Sequence, residues 1–166
     1  MKKMLLALAV SVLGLQASLS QNVISFGPDR WATIEDSSAF DGVSLVAFVV
    51  GTSDDYYVTS PVLSLVRTDD GATRAYLAYF PAELCGTTSL LLKFDRKEPL
   101  YAVSVRYSTR SAVYVVDFDG ALTIESFVVG LETCRTLHAR MLSRCGILDV
   151  DFTLNGAAEA LKILEK

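Results

Sequence analysis

Thr136-Leu137-His138-Ala139-Arg140-Met141-Leu142 and Ile147-Leu148-Asp149-Val150-Asp151-Phe152-Thr153-Leu154, split by Ser143-Arg144-Cys145-Gly146, decide how this chain folds. Each run alternates apolar and polar residues, the period of a strand with one buried face. Placing Leu142 opposite Ile147 pairs Leu137 with Phe152, Ala139 with Val150 and Met141 with Leu148, all on one face. The other face then pairs His138 with Asp151 and Arg140 with Asp149. Opposite charges directly across a strand pair are stabilising. A slip of one residue would turn every apolar side chain to water. The apolar pattern and the charge pattern select the same register, so the segment reads as an antiparallel hairpin.

The same period runs upstream. Strands are expected at Trp31–Ile34, Val43–Val50, Val62–Thr68, Thr73–Phe80, Ser89–Asp95, Tyr101–Ser108 and Ala112–Phe118. Asp41-Gly42, Asp69-Asp70-Gly71, Pro81 and Lys97-Glu98-Pro99 punctuate them as turns. Val43–Val50 is apolar on both faces, as a central strand would be. In a second hairpin, Tyr107 opposite Ala112 would make Val105 face Tyr114 and Val103 face Val116. Two helices interrupt the strands. Ile124, Phe127, Val128 and Leu131 carry helical spacing, with Asp119 as the expected N-cap; Asp119-Gly120 would also suit a hairpin turn. Ala157, Ala160, Leu161 and Leu164 carry the same spacing at the C-terminus, with Asn155 as N-cap. The expected fold is mainly β (α+β): an antiparallel sandwich or barrel-like meander with one internal helix and a C-terminal helix.

The chain has 166 residues, enough for one domain with a sizeable core. Half of them are hydrophobic (51%) and the mean hydropathy is +0.38, high for such a domain. The excess sits at the start. Lys2-Lys3 precede the 12-residue apolar run Met4–Leu15, too short to span a bilayer, and Ser18-Leu19-Ser20 places small residues before Gln21. This order reads as an export signal over residues 1–20, removed before a single β-rich domain of residues 21–166, with no transmembrane anchor left after cleavage. The expected location is periplasmic or secreted. Losing Lys2 and Lys3 takes the net charge from −4 to about −6, and with a pI of 4.9 no nucleic-acid partner is expected.

Val115-Val116-Asp117-Phe118-Asp119-Gly120 looks like the first motif of haloacid dehalogenase-type phosphohydrolases. By that resemblance Asp117 would be the nucleophile and Asp119 the acid/base, both holding Mg²⁺. The chemistry needs paired carboxylates at the end of a parallel strand. Only 46 residues follow Gly120, too few for the crossovers of a parallel sheet. The favoured reading is a strand that ends in a solvated turn or cap, with no catalytic, cofactor or metal residues. His138 is the sole histidine, and the register makes it a surface partner of Asp151. Asp54-Asp55 and Asp69-Asp70 match no calcium loop, and Trp31, Tyr56 and Tyr57 are spread among strands, where an aromatic surface for sugar or peptide binding and ordinary sheet packing give the same pattern.

Cys85, Cys134 and Cys145 allow one disulfide in an exported protein, or three reduced thiols. The hairpin puts Cys134 and Cys145 roughly 25 Å apart at about 3.3 Å per residue, which excludes their pairing. Cys85 then becomes the partner of one of them if a bridge forms.

Taken together, Trp31, Ser37-Ser38, Asp41-Gly42-Val43 and Pro61-Val62-Leu63-Ser64-Leu65-Val66-Arg67 resemble the VasI/TagO family of exported proteobacterial proteins. So do Lys93-Phe94-Asp95, Phe127-Val128 with Leu131, and Asp151-Phe152-Thr153-Leu154-Asn155-Gly156. The family's usual N-terminal Arg-Leu-x-Cys-Tyr-Asp segment is absent here. The resemblance implies an exported accessory of a type VI secretion system and carries over no catalytic residue. The function expected is therefore non-enzymatic binding of a protein or envelope component. The alternatives are the Asp117/Asp119 phosphohydrolase and a small periplasmic inhibitor or ligand carrier.

Overall fold

The computed structural model describes residues 22–23, 31–38, 42–53, 61–68, 70–78, 89–95, 99–108, 113–118, 121–143 and 146–165. Among the described residues ten strands form one sheet: β1 (Asn22–Val23), β2 (Ala32–Ser38), β3 (Gly42–Val50), β4 (Val62–Arg67), β5 (Thr73–Ala78), β6 (Ser89–Phe94), β7 (Leu100–Ser108), β8 (Val113–Asp117), β9 (Thr136–Ser143) and β10 (Gly146–Thr153). Their order is β1-β2-β3-β4-β5-β8-β7-β6-β9-β10, and every neighbouring pair is antiparallel. Helix α1 (Ile124–Thr133) joins β8 to β9. Helix α2 (Ala157–Leu161) follows β10 and tightens into a 3₁₀ turn over Lys162–Glu165. All nine expected strands and both helices are present; the two-residue β1 carried no periodic signal. The export segment and the loops with Cys85, Asp119 and Cys145 lie outside the described residues.

The sheet closes on itself. Just past β3, Thr52 N–H donates to Asp151 O at 2.8 Å and Asp151 N–H returns to Thr52 O at 2.9 Å. β3 pairs with β2 along most of its length and hands over to β10 at its end. Gly51 permits the handover: a Cβ there would sit 2.7 Å from Asp151 O and from the Phe152 ring. Eight strands, β3 to β10, make the ring, and β2 with β1 branches from it.

An eight-stranded ring is just wide enough for side chains to fill. Alternate residues do so here. Ala47, Val49, Leu63, Leu65, Leu77, Leu90, Leu92, Leu137, Met141 and Phe152 all point inward and are fully or almost fully buried. Phe127 and Leu131 of α1 and Leu161 of α2 join the same core. A smaller cluster lies on the other face of β2–β5, from Ala32, Ile34, Val46, Phe48, Val62 and Ala78. Hence β3 is apolar on both sides because both are buried.

The β9–β10 hairpin has the expected register, with Leu142 opposite Ile147 and His138 opposite Asp151. The β7–β8 hairpin differs: Tyr107 opposes Tyr114, not Ala112, and Val105 opposes Val116. The shift is two residues, which leaves Val103, Val105 and Val116 on their expected buried face and changes only their partners. Both helix caps also differ. Thr123, not Asp119, caps α1, its hydroxyl accepting from Ser126 N–H at 3.2 Å. Gly156, not Asn155, precedes α2, at φ 85°, a left-handed conformation open to glycine.

Candidate functional site

Of the two candidate carboxylates, Asp117 lies among the described residues. Asp117 ends β8, whose neighbours β5 and β7 are both antiparallel to it. Arg106, diagonally across, grips its carboxylate with both prongs, Nε to Oδ2 at 2.6 Å and Nη2 to Oδ1 at 2.7 Å. Those bonds hold the Asp117 carboxyl below the usual carboxylate range. A nucleophilic aspartate needs a free oxygen at the end of a parallel strand. Asp117 is held here as an ion-pair partner of Arg106; Asp119 lies outside the described residues.

The other singled-out residues have structural occupations. His138 Nδ1 lies 2.6 Å from Asp151 Oδ1. Arg140 binds Asp149 in the same two-pronged way, at 2.6 and 2.7 Å, and its hydrogen bonds lower the Asp149 pKa. Asp70 turns the β4–β5 hairpin, accepting from the Thr68 hydroxyl and from Ala72 N–H. Trp31 is buried in the main core, its indole N–H without a hydrogen-bond partner. Cys134 is a free, half-buried thiol at the C-cap of α1. Among the described residues no three His, Cys, Asp or Glu side chains cluster to hold a metal, and no helix is long and apolar enough to cross a membrane.

The described residues also line a groove of about 630 Å³ between the end of α1 and the β10–α2 turn, with Glu132, Cys134, Arg135, Asn155, Ala158 and Glu159 among its walls. Its floor is fixed by backbone. Asp95, just after β6, accepts from Arg135 N–H at 3.1 Å and Thr136 N–H at 2.9 Å through one carboxylate oxygen. Leu154 N–H donates to Arg135 O at 2.9 Å, and Ala157 N–H to Leu154 O at 3.1 Å. Asp95 sits at φ 44°, where aspartate is better tolerated than most residues because its short side chain bonds locally. Two glutamates and the negative end of α1 outweigh Arg135, so the groove is mildly acidic. The sequence held no motif for it: its walls come from two segments, each unremarkable alone.

No protein-family model matches the chain, and a search of curated proteins finds no match. Among solved structures, the crystal structure of invasion associated protein B from Bartonella henselae is similar in fold. The match has a TM-score of 0.62 and covers 87% of this chain and 96% of that one. At 16% identity the likeness extends to the mainly β architecture and no further.

Proposed function

We propose that this chain is an exported bacterial envelope protein that works by binding a protein or envelope component, without catalysis of its own. The observation behind the reading is the filled ring. Leu65, Leu90, Leu131, Leu137, Met141 and Phe152 occupy the interior at full burial, so recognition falls to the outer surface. A ligand carried inside would have to displace them, at a cost of about 2–5 kcal/mol for each large side chain lost from a core. Export rests on the Lys2-Lys3, Met4–Leu15, Ser18–Ser20 order. The neighbour's name, invasion associated protein, agrees with a role outside the cytoplasm. The VasI/TagO resemblance supports the finer reading of a secretion-system accessory.

The test has two parts. The full chain is expressed in a Gram-negative host, and the periplasmic product is sequenced from its N-terminus; Gln21 is expected first. The product is then crosslinked in periplasmic extract, beside a variant whose groove is blocked by Ala158→Arg. Specific envelope components should be captured by the parent and lost in the variant. Capture of none, repeated with a second crosslinker, refutes the binding role.

A further inference from the structure

The outer face of the β9–β10 hairpin carries three cross-strand rows. His138 stands opposite Asp151, Arg140 opposite Asp149, and Leu142 opposite Ile147. All point away from the core, because the residues between them, Leu137, Ala139, Met141, Leu148, Val150 and Phe152, are buried. The face is open: Ile147 is 62% and Leu142 38% exposed, and the side chains of Arg140 and Asp149 are more than half exposed. On this face β9 offers two nitrogen bases and a leucine, while β10 offers two carboxylates and an isoleucine at the same heights.

That layout is complementary to itself. Consider a two-fold axis parallel to the strands and running between β9 and β10, above the face. It lays β9 of a second copy over β10 of the first without changing height. Arg140 then meets the second copy's Asp149, His138 meets its Asp151, and Leu142 meets its Ile147, with each contact made twice. An axis between β9 and β6 fails. Lys93 is the β6 residue level with His138, and Leu91 is level with Arg140. That axis would set base against base and a guanidinium against a leucine. Of the two axes, the charge order favours the first.

We infer that this face is a homodimer contact in which two hairpins pack face to face about that axis. It rests on the exposed rows alone and is independent of the envelope reading. Rows two residues apart stand about 7 Å from each other and strands about 4.8 Å apart. The patch is therefore a few hundred Å² at most, below the roughly 800 Å² per partner of a stable complex. The dimer is weak and concentration-dependent. The Arg140–Asp149 pair already formed within each copy becomes part of a four-charge square, and the Leu142–Ile147 row loses its water.

The experiment is sedimentation equilibrium of the purified, processed protein from roughly 10 µM to 1 mM, a range that brackets a weak interface. The weight-average mass should climb toward twice the monomer value. Ile147→Asp places a carboxylate against the second copy's Leu142 and should hold the protein at monomer mass. Val129→Asp changes a 55%-exposed residue on α1, away from the face, and should leave the mass curve unchanged. The double variant R140D/D149R rebuilds the internal ion pair in reverse order. It should still dimerise with itself, but mixed with differently labelled wild type it should form fewer mixed dimers than the statistical half. A wild type that stays monomeric across the range overturns the inference. So do a folded Ile147→Asp variant that still dimerises, or statistical mixing of wild type with the double variant.

Discussion

Gly130 lies in the middle of α1, where glycine is ordinarily a weakness. Replacing it by alanine in an unconstrained helix would gain about 1 kcal/mol. Here the sign should reverse. A Cβ at this position would sit 2.5 to 2.8 Å from three atoms of the Phe94 ring. Carbon atoms pack at about 3.5–4.0 Å, so the ring would have to retreat by about 1 Å. It has nowhere to go: Phe94 is 4% exposed, and its ring lies 5.7 Å from that of Phe127, itself fully buried. Overpacking of this kind costs about 1–3 kcal/mol. Three close contacts against buried neighbours put the cost near the top of that range, so after the helix gain Gly130→Ala should destabilise by about 2 kcal/mol. At about 2–4 °C per kcal/mol for a domain of this size, the midpoint should fall by about 6 °C.

The cause can be isolated in a double-mutant cycle by urea unfolding. Phe94→Leu alone should cost about 1–2 kcal/mol through lost ring packing. In that background the obstacle is gone and the helix propensity is not. Gly130→Ala should then be neutral or stabilising by up to about 1 kcal/mol. The prediction is a change of sign between the two backgrounds. If Gly130→Ala stabilises the parent, or costs the same in both backgrounds, the close approach of Phe94 to α1 is not what the glycine serves.

Other expectations concern the seam, the joints and the charges. Gly51→Ala should destabilise by about 1–3 kcal/mol by urea unfolding, since its Cβ meets Asp151 O and the Phe152 ring at 2.7 Å where the ring closes. Thr123→Ala should cost about 1 kcal/mol in the same assay and raise amide exchange in the first turn of α1, because Ser126 N–H loses its acceptor. The pKa values of Asp117 and Asp149 are lowered by hydrogen bonds from Arg106 and Arg140. A lowered folded-state pKa adds stability that is present above the unfolded value, near 4, and is lost as pH falls through the folded value. Thermal midpoints should thus be level above about pH 5 and decline below about pH 4, less steeply in high salt. Arg106→Gln should raise the Asp117 pKa, followed by carbonyl NMR; an unchanged titration would contradict the two-pronged contact.

How much of this was legible in the sequence varied with how many patterns bore on each element. The β9–β10 register was overdetermined: Leu137, Met141, Phe152 and their partners demanded one alignment, and two charge pairs demanded the same one. The β7–β8 register had only its apolar pattern, and a two-residue slip leaves Val103 and Val105 facing inward either way. The charges argue only in part: Arg106 and Asp117 come within diagonal reach in the observed alignment and not in the expected one, but they would stand directly opposite after a further two-residue slip. The α1 cap was misplaced because Asp119 is the stronger capping residue in isolation, yet it stands too far ahead of Ile124. The α2 cap was missed because what the chain needs there is a positive φ, and Gly156 answers that need better than the side-chain acceptor of Asn155. The groove was illegible, since residues near 134 and near 156 meet only through the backbone bonds around Asp95 and Leu154.

That junction also explains why residues far apart in the sequence act as one unit. Phe94, Asp95, Phe127, Leu131, Leu154 and Gly156 are dispersed in the sequence, but the fold gathers them where α1 docks on the barrel. The Phe94 ring packs on Phe127 and over Gly130, and Asp95 holds the two N–H groups that start β9. Leu154 ties the end of β10 to the same turn, and Gly156 redirects the chain into α2. Each has a geometric job at one joint: filling it, bonding across it or turning away from it. Residues of this kind persist as long as the architecture does, because any change there costs stability whatever the protein binds. Such residues specify the fold and carry nothing about a ligand. What distinguishes this chain's function has to be sought on surfaces the joint leaves free. The hairpin face is such a surface: the Arg140–Asp149 pair steadies the hairpin across its strands, and the exposed Leu142–Ile147 row beside it is what a second copy would take out of water.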